Sequence, residues 1–179
     1  LLFMGQEFGQ SNEWNYQTQL DWDLLNDPNH QHMAKFTEVI NKFYLENTPM
    51  WQVDSSWEGF GWISHEDYQQ SVIAFRRIDS EGKEIVVVCN FCPVLRKDYR
   101  IGVPEDGKYT VVMNTDAPEF GGSGISEKEY PVISEGMHGY EQSISLTLAP
   151  LSVMYLKNTP APKKRKTTAA KKTASGKTK

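Results

Sequence analysis

Cysteine is scarce in this chain, and long apolar runs are missing altogether. Two cysteines in 179 residues cannot build the disulfide framework of a small secreted domain, and they favour a reducing, cytoplasmic setting. No apolar run reaches the ~18 residues that a membrane span needs, so we expect no membrane partner. Hydrophobic residues at 39% and aromatic residues at 12% are still enough for a packed core.

Acidic residues are absent from one end of the chain. The first 156 residues hold all 23 acidic and 10 of the 19 basic residues, whereas residues 157–179 hold 9 basic residues and no acid. The acidic character of the first 156 residues argues against nucleic-acid binding by that part of the chain. It has little effect on the binding of a neutral polysaccharide. Residues 158–179 lack aromatic and large aliphatic side chains, which predicts a disordered basic tail. Its lysines could alternatively make a weak nucleic-acid contact by neutralising phosphates.

The amino-terminal stretch is the most distinctive part of the sequence. Residues 1–4 form a short unbroken apolar run, which is typical of a strand buried on both faces. Gly5 and Gly9 let the backbone turn sharply at its end. The residues that follow are of the types that line sugar sites, with planar polar groups for hydroxyls and an indole for a ring face. The candidate substrate-binding residues are therefore Glu7, Gln10, Glu13, Trp14 and Asn15.

These candidates differ in the role that we expect. Trp14 is the best candidate for stacking on a sugar ring, and its alternative role is to anchor the loop by packing. A retaining glycosidase needs two carboxyl groups ~5 Å apart. Glu7 and Glu13 are the carboxylates in this loop, and each could support the loop or contact a substrate directly.

Downstream, the periodicity predicts one helix and then a set of strands. Residues 30–47 predict an amphipathic helix that ends before Pro49, and its apolar face comprises Met33, Phe36, Val39, Ile40, Phe43 and Tyr44. Residues 50–60 are predicted to be a connector. Polar turns then separate short strands, which predicts an antiparallel β-sandwich. The predicted strands lie at residues 61–63, 71–78, 84–91, 99–103, 108–114, 144–148 and 153–156. Residues 117–140, rich in Gly, Pro, Ser and Glu, predict a long mobile loop.

Neither the cysteines nor the histidines predict a metal site. Cys89 and Cys92 form a C-x-x-C pair, which supplies only two of the four ligands of a zinc site. The pair follows a predicted strand, whereas a redox pair gains its lowered pKa at a helix N-terminus, so we interpret it as structural. His30 and His32 are two residues apart and do not share a helix face. We therefore assign no metal and no cofactor.

A resemblance to a known family rests on an ordered set of motifs. Residues 1–10 read Leu-Leu-Phe-Met-Gly-Gln-Glu-Phe-Gly-Gln, and Glu13-Trp14-Asn15 and Leu20-Asp21-Trp22 follow. Downstream come Val87-Val88-Cys89-Asn90-Phe91, Tyr99-Arg100-Ile101-Gly102-Val103-Pro104, Asn114-Thr115-Asp116 and Phe120-Gly121-Gly122-Ser123-Gly124. Over roughly residues 1–157 the chain resembles the 1,4-alpha-glucan branching enzymes of glycoside hydrolase family 13, in the alpha-amylase superfamily.

The resemblance implies a mainly β fold in which a C-terminal antiparallel β-sandwich, of the alpha-amylase C-terminal type, follows the last β/α unit of a TIM barrel. It implies that residues 1–50 hold the end of a catalytic (β/α)₈ barrel, with strand 8, its loop and the last helix. Residues 51–157 would then be the all-β domain, and residues 158–179 the tail. We therefore expect the chain to begin inside a larger protein, with the rest of the barrel as its partner.

The resemblance also implies a chemistry. Its members cleave an α-1,4-glucan through a covalent glycosyl-enzyme intermediate and transfer the piece to a 6-hydroxyl, which makes the α-1,6 branches of glycogen. The expected partner is thus an α-glucan such as glycogen or an amylose-like chain. The catalytic acids of the family follow earlier barrel strands, and nothing here matches those motifs. We therefore assign no catalytic residue and expect this chain alone to be inactive. The alternatives are a debranching or trehalose-releasing hydrolase, or a non-catalytic glycan-binding or structural β module.

Overall fold

Eight strands and one long helix make up most of the regular structure in residues 2–160, which the computed structural model describes. Helix α1 spans Pro28–Glu46. The strands are β1 (Phe60–Asp67), β2 (Val72–Ile78), β3 (Glu84–Asn90), β4 (Arg96–Val103), β5 (Lys108–Asn114), β6 (Glu129–Pro131), β7 (Gln142–Leu148) and β8 (Ser152–Thr159). Among the described residues, no helix is both long and apolar enough to cross a membrane.

The strands form two antiparallel sheets. The larger sheet has six strands in the order β1-β2-β3-β8-β5-β6, and β4 pairs with β7 in the smaller one. Alternate side chains of β3 and β8 meet those of the smaller sheet in one apolar core. Its fully buried members include Val86, Val88, Ile101, Ile144, Leu146 and Leu156. The mainly β, antiparallel fold predicted from the sequence is confirmed.

Helix α1 covers the outer face of the larger sheet. Ile85, Val87 and Cys89 alternate with the core residues of β3 and cluster with Phe43 of α1. The rings of Phe43 and Tyr155 lie 5.1 Å apart. Strand β3 is therefore buried on both faces, as its nearly continuous apolar sequence indicates.

The helix begins two residues before the predicted range of 30–47. The Asp27 carboxylate accepts a hydrogen bond from the backbone nitrogen of Asn29 (2.8 Å) and caps the first turn. Pro28 occupies the first helical position, where a backbone N–H has no acceptor within the helix, so its absence loses no helical hydrogen bond. Pro28 thus starts the helix. The predicted apolar face is only partly covered, since Met33 and Tyr44 are 40% and 44% exposed.

Residues 2–4, predicted as part of a strand, are not in a strand in this chain alone: residues 2 and 3 have no regular structure and residue 4 lies in a turn, and Leu1 lies outside the described residues. A strand needs a neighbour for its backbone hydrogen bonds, and none of the described strands pairs with this stretch. The backbone bonds locally instead, because Gln6 N donates to Phe3 O (3.0 Å) and Phe3 N donates to Gln6 Oε1 (2.7 Å). The apolar side chains of residues 2–4 remain more than half exposed.

Residues 117–140, predicted as a long mobile loop, are held by hydrogen bonds and by a strand. The Asp116 carboxylate accepts from Ser123 N (3.0 Å), Ser123 Oγ (2.7 Å) and Ile125 N (3.0 Å). Burial by itself raises the pKa of Asp116, but these hydrogen bonds outweigh it and hold the pKa below its usual value. Further on, Tyr130 is buried in β6 opposite Tyr109 of β5. The prediction missed β6 because three residues carry too little periodicity.

Strand β8 extends past the predicted domain boundary at residue 157. Asn158 and Thr159 still pair with β5, opposite Tyr109 and Lys108. Asn158 Nδ2 also donates to Asp106 O (3.2 Å). Residues 158 and 159 thus belong to the sheet, which corrects the tail boundary at its amino-terminal side. The rest of the predicted disordered tail, residues 161–179, lies outside the described residues.

A buried carboxylate ties the β2–β3 turn to the segment after α1. Asp79 is only 5% exposed, and its oxygens accept from Lys83 N (2.8 Å), Glu81 N (2.9 Å) and the hydroxyl of Thr48. Burial by itself raises the pKa of Asp79, but these hydrogen bonds outweigh it and keep the pKa below the usual 3.8. The folded state therefore favours the charged form of this group.

The lowered pKa of Asp79 predicts how stability depends on pH. A depressed folded-state pKa contributes stability above the unfolded value, and this contribution is lost as pH falls below 3.8 towards the folded value. We expect Asp79→Ala to lower the free energy of unfolding by about 2 kcal/mol at pH 7 and by clearly less at pH 3. Urea unfolding at both pH values measures the difference. Asp106→Ala removes an exposed turn carboxylate that accepts a hydrogen bond only from Gly107 N, and should show neither effect. An equal loss from Asp79→Ala at both pH values would contradict the prediction.

Candidate functional site

The predicted site lies in a loop that is anchored on the first half of α1. Phe8 is 4% exposed, and its ring lies 5.4 Å from that of Trp22. His30 Nδ1 donates to Phe8 O (2.7 Å), and Thr37 Oγ1 donates to Glu7 O (2.9 Å). The backbone of Gln6–Phe8 forms a tight 3-10 turn, and a glycine flanks it on each side. The helix therefore holds the loop that carries all five predicted site residues.

Three of the five predicted residues use their polar side chains within the loop. Gly5 N, at φ 95°, donates to Glu7 Oε2 (2.7 Å). Gln10 Oε1 accepts from Asp21 N (2.9 Å), and Gln10 Nε2 donates to Asn12 O (3.2 Å). Asn15 Oδ1 accepts from Gln17 N (2.9 Å), which makes a local turn. Glu7, Gln10 and Asn15 thus shape the loop through one side-chain oxygen each, and a ligand hydroxyl would share those oxygens with these bonds.

The other two predicted residues present their side chains to solvent. Trp14 is 36% exposed; its ring packs edge-on against Phe3 at 5.4 Å and lies 6.4 Å from Tyr16, which is 77% exposed. Glu13 is exposed and makes no hydrogen bond or ion pair with another described residue. Trp14 and Tyr16 together offer an aromatic surface with a free carboxylate beside it in the chain. Tyr16 is not among the residues predicted from the sequence to line the site, although its ring is largely exposed.

No metal-binding geometry is present in the described part of the chain. No three His, Cys, Asp or Glu side chains come close enough there to hold an ion. Cys89 and Cys92 are free thiols, and burial raises the pKa of Cys89 to about 11, which disfavours the thiolate that a metal or redox site uses. The Nδ1 atom of His30 already donates a hydrogen bond to the carbonyl oxygen of Phe8. The loop thus offers aromatic rings and hydrogen-bonding side chains, and no nucleophile activated by a base is present among its described groups.

A second aromatic cluster lies on β1 and escaped the sequence analysis. Trp57, Phe60 and Trp62 had been assigned to a connector and to the start of a strand, since they show no helical period. Phe60 and Trp62 are two residues apart on a strand and thus share one face. This spacing was the signal that could have found the cluster. The rings of Phe60 and Trp62 lie 4.9 Å apart.

Comparison with known proteins gives a consistent family. The family described as "Alpha amylase, C-terminal all-beta domain" matches residues 62–159, which is more than half of the chain. The 1,4-alpha-glucan branching enzyme GlgB of Aquifex aeolicus is 49% identical over 162 residues, covering 88% of this chain and 25% of the relative. The enzyme of the same name from Prochlorococcus marinus is 44% identical over 161 residues, covering 88% and 21%. The chain thus spans about a quarter or less of the length of these relatives.

A solved structure supports the fold. The crystal structure of the pullulanase SAP of Group B Streptococcus superimposes with a TM-score of 0.50 and covers 78% of this chain and 18% of that chain. At 19% identity the likeness concerns the fold alone. The resemblance inferred from the sequence motifs is confirmed by these matches, and the chain belongs to the family of alpha-amylase C-terminal all-beta domains.

Proposed function

We propose that this chain is part of a 1,4-alpha-glucan branching enzyme. Such an enzyme cleaves an α-1,4-glucan and transfers the segment to a 6-hydroxyl, forming the α-1,6 branches of glycogen. The supporting observation is the 49% identity to the Aquifex aeolicus branching enzyme over 162 residues. An alignment of that length extends well beyond the β domain at residues 62–159. The similarity therefore includes part of the loop and of α1, where a function can be specified.

We further propose that residues 1–50 complete a catalytic (β/α)₈ barrel. Residues 51–157, together with the last two residues of β8, form the all-β domain, and the remainder is a tail. In TIM barrels the active site is built by the loops that follow the strands. The loop of residues 5–27 lies directly before a helix, as such a loop does. The uncovered apolar side chains of α1, Met33, Tyr44 and Leu45, suit a helix that packs on a barrel. The partner would then be the rest of the barrel.

In this proposal the loop contacts the glucan and does no bond chemistry. Trp14 offers a ring face to a pyranose, and its indole would bury apolar sugar C–H groups. Glu13 and the side chains of Glu7, Gln10 and Asn15 would accept from or donate to sugar hydroxyls at the loop surface. The proposed location is cytoplasmic, which the two free thiols support. The lysine cluster from Lys163 onwards lies outside the described residues, and nothing in residues 2–160 supports a nucleic-acid contact.

The test of the proposed function compares the complete protein with this chain alone on amylose. We expect the complete protein to lower iodine absorbance and to create linkages that a debranching enzyme cleaves, with no matching rise in reducing ends. The 179-residue chain alone should leave the amylose unchanged, because it contains no match to the acidic catalytic motifs. A rise in reducing ends without new branches would identify a hydrolase and contradict the proposal. Activity of the repurified chain alone would show that the catalytic groups were misplaced.

Trp14 provides a sharper prediction within the complete protein. We expect Trp14→Ala to lower kcat/KM for amylose about fivefold, the equivalent of ~1 kcal/mol of aromatic contact. The melting temperature should change little, because the ring is partly exposed and packs only on neighbouring loop aromatics. Trp14→Phe is the matched control and should recover most of the activity. A melting temperature that falls in step with activity would instead identify Trp14 as a packing anchor.

A further inference from the structure

Residues 11–20 carry the exposed aromatic rings of the candidate site, and we call this segment the Trp14 lobe. Its first nine residues are exposed, and none of its residues lies in a helix or a strand. Of the described backbone hydrogen bonds, one lies within the lobe, from Thr18 N to Asn15 O (3.2 Å). A segment that buries none of its side chains gains little stability from its own packing. Its shape must therefore be fixed by contacts at its ends.

Three side-chain hydrogen bonds close the lobe where it begins and ends. Gln10 Oε1 accepts from Asp21 N (2.9 Å), and Gln10 Nε2 donates to Asn12 O (3.2 Å). Asn12 Nδ2 donates to Asp21 Oδ2 at 2.7 Å. This last bond is the shortest of the three, and its charged acceptor makes it stronger than a bond between neutral groups. Asp21 thus joins the two ends of the lobe through its backbone and its carboxylate at once.

The closed ends of the lobe lie on a fixed base. Trp22 follows Asp21 directly, and its ring packs on the buried ring of Phe8 at 5.4 Å. His30 of α1 in turn donates to the carbonyl oxygen of Phe8. The bond between Asn12 and Asp21 therefore fixes the lobe relative to the helix.

The ring of Trp14 has few other contacts to orient it. Outside the lobe it meets the ring of Phe3 edge-on, and Phe3 is itself more than half exposed. Its other aromatic neighbour, Tyr16, belongs to the lobe and moves with it. The direction in which Trp14 presents its ring face therefore depends on the closure of the lobe at Asp21.

We propose that Asp21 and Asn12 are positioning residues, which close the Trp14 lobe and thereby hold Trp14 in the orientation that contacts the glucan. Their side chains bond each other and act on the sugar through Trp14. The inference rests on the proposed function, in which Trp14 is a glucan contact. An open lobe leaves the binding-competent orientation only partly populated, and the apparent affinity falls by that fraction. The loss cannot exceed the loss caused by removing Trp14 itself.

Steady-state kinetics of the complete protein on amylose give the first test. We expect Asp21→Ala to raise KM about two- to fivefold with kcat nearly unchanged, because the substrate and the transition state lose the same contact. Asp21→Asn is the conservative variant and should recover most of the affinity, since its amide oxygen can still accept from Asn12 Nδ2. Asp23→Ala removes a neighbouring exposed carboxylate that bonds no other described residue, and it should leave KM unchanged. A fall in kcat at unchanged KM would overturn the proposal.

A double-mutant cycle shows whether Asp21 acts through Trp14. In a protein that already carries Trp14→Ala, adding Asp21→Ala should raise KM little further, because the contact that it orients is gone. Asn12→Ala should match Asp21→Ala, and the two together should be no worse than either alone. A full further rise of KM in the Trp14→Ala background would refute the inference, because Asp21 would then act on the glucan independently.

Chymotrypsin cleavage of the complete protein tests the closure of the lobe without relying on activity. The protease cuts after aromatic residues in exposed, mobile segments, so Asp21→Ala and Asn12→Ala should speed cleavage after Trp14 or Tyr16 severalfold. Cleavage after Tyr68, which is 83% exposed in the turn after β1, is the internal reference and should keep its rate. Cleavage in the lobe that neither substitution accelerates would contradict the inference. Faster cleavage in a protein without branching activity would leave the positioning of Trp14 standing and refute the proposed function alone.

Discussion

Replacing Leu156 by alanine is expected to lower the free energy of unfolding by about 3 kcal/mol. Leu156 is fully buried in β8, between Val86 of β3 and Val111 of β5. It belongs to the core between the two sheets, where it is surrounded by other buried aliphatic side chains. The loss combines the transfer of the missing methyl groups to water with the cavity that remains. Central strands on both sides limit how far that cavity can collapse.

Urea or thermal unfolding measures this effect. The melting temperature should fall by about 10 °C for a chain of this size. In the 179-residue chain alone, Leu45→Ala is the matched control, because Leu45 is 72% exposed there on α1, and it should change the stability by less than about 0.5 kcal/mol. If both substitutions cost the same, the placement of β8 at the centre of the core would be wrong.

The second large effect is expected at a buried amide. Asn90 is 1% exposed at the end of β3, and its Nδ2 donates to Val94 O (2.9 Å) and to Ala149 O (2.8 Å). Its Oδ1 accepts from Cys92 N (3.1 Å). One side chain thus joins the end of β3 to the turn after it and to the distant turn between β7 and β8. These three hydrogen bonds require a donor and an acceptor on the same planar side-chain group, which an amide provides.

Asn90→Asp keeps the shape and removes the donor. An oxygen would then face two carbonyl oxygens, and a carboxylate would be buried without a cation. We expect the free energy of unfolding to fall by about 3–5 kcal/mol at pH 7, the range for an uncompensated buried charge. Asn29→Asp makes the same chemical change at an exposed position in the first turn of α1, where a negative charge is favourable. Equal unfolding curves for the two variants would show that Asn90 does not bridge the turns.

The local elements were largely predictable. Strand β3 carries four consecutive β-branched residues, and the turn before it contains Asp79 and Gly82. The existence and approximate bounds of β3 therefore follow from the local sequence alone. The helix was predicted from its apolar face, and only its start was misplaced, because Pro28 marks a first turn as readily as a break. The motif order led to the correct family, since each motif is a local string of residues.

The candidate site was predictable only in part. The five predicted residues lie in one short loop, but the sequence did not show which of their polar groups are hydrogen-bonded within the loop and which are free. Gln10 bonds Asp21, which lies eleven residues away, and that pairing exists only once the loop has folded. In the aromatic cluster on β1, the spacing of Phe60 and Trp62 is visible in the sequence, but the contact of Phe75 with Phe60 crosses a strand pair whose register the sequence does not state.

The sequence by itself determined the period of each element, the turns between the strands, the acidic body with its basic end, and the family. The tertiary structure decided the sheet order, in which β8 inserts between β3 and β5, and it decided that β4 and β7 form a separate sheet. It also decided that Asp79, Asp116 and Asn90 are structural groups. The physical reason is the distance along the chain over which each kind of interaction acts. Propensity and alternation act between near neighbours, whereas strand order and the partners of a buried polar group depend on which distant surfaces bury the most apolar area together.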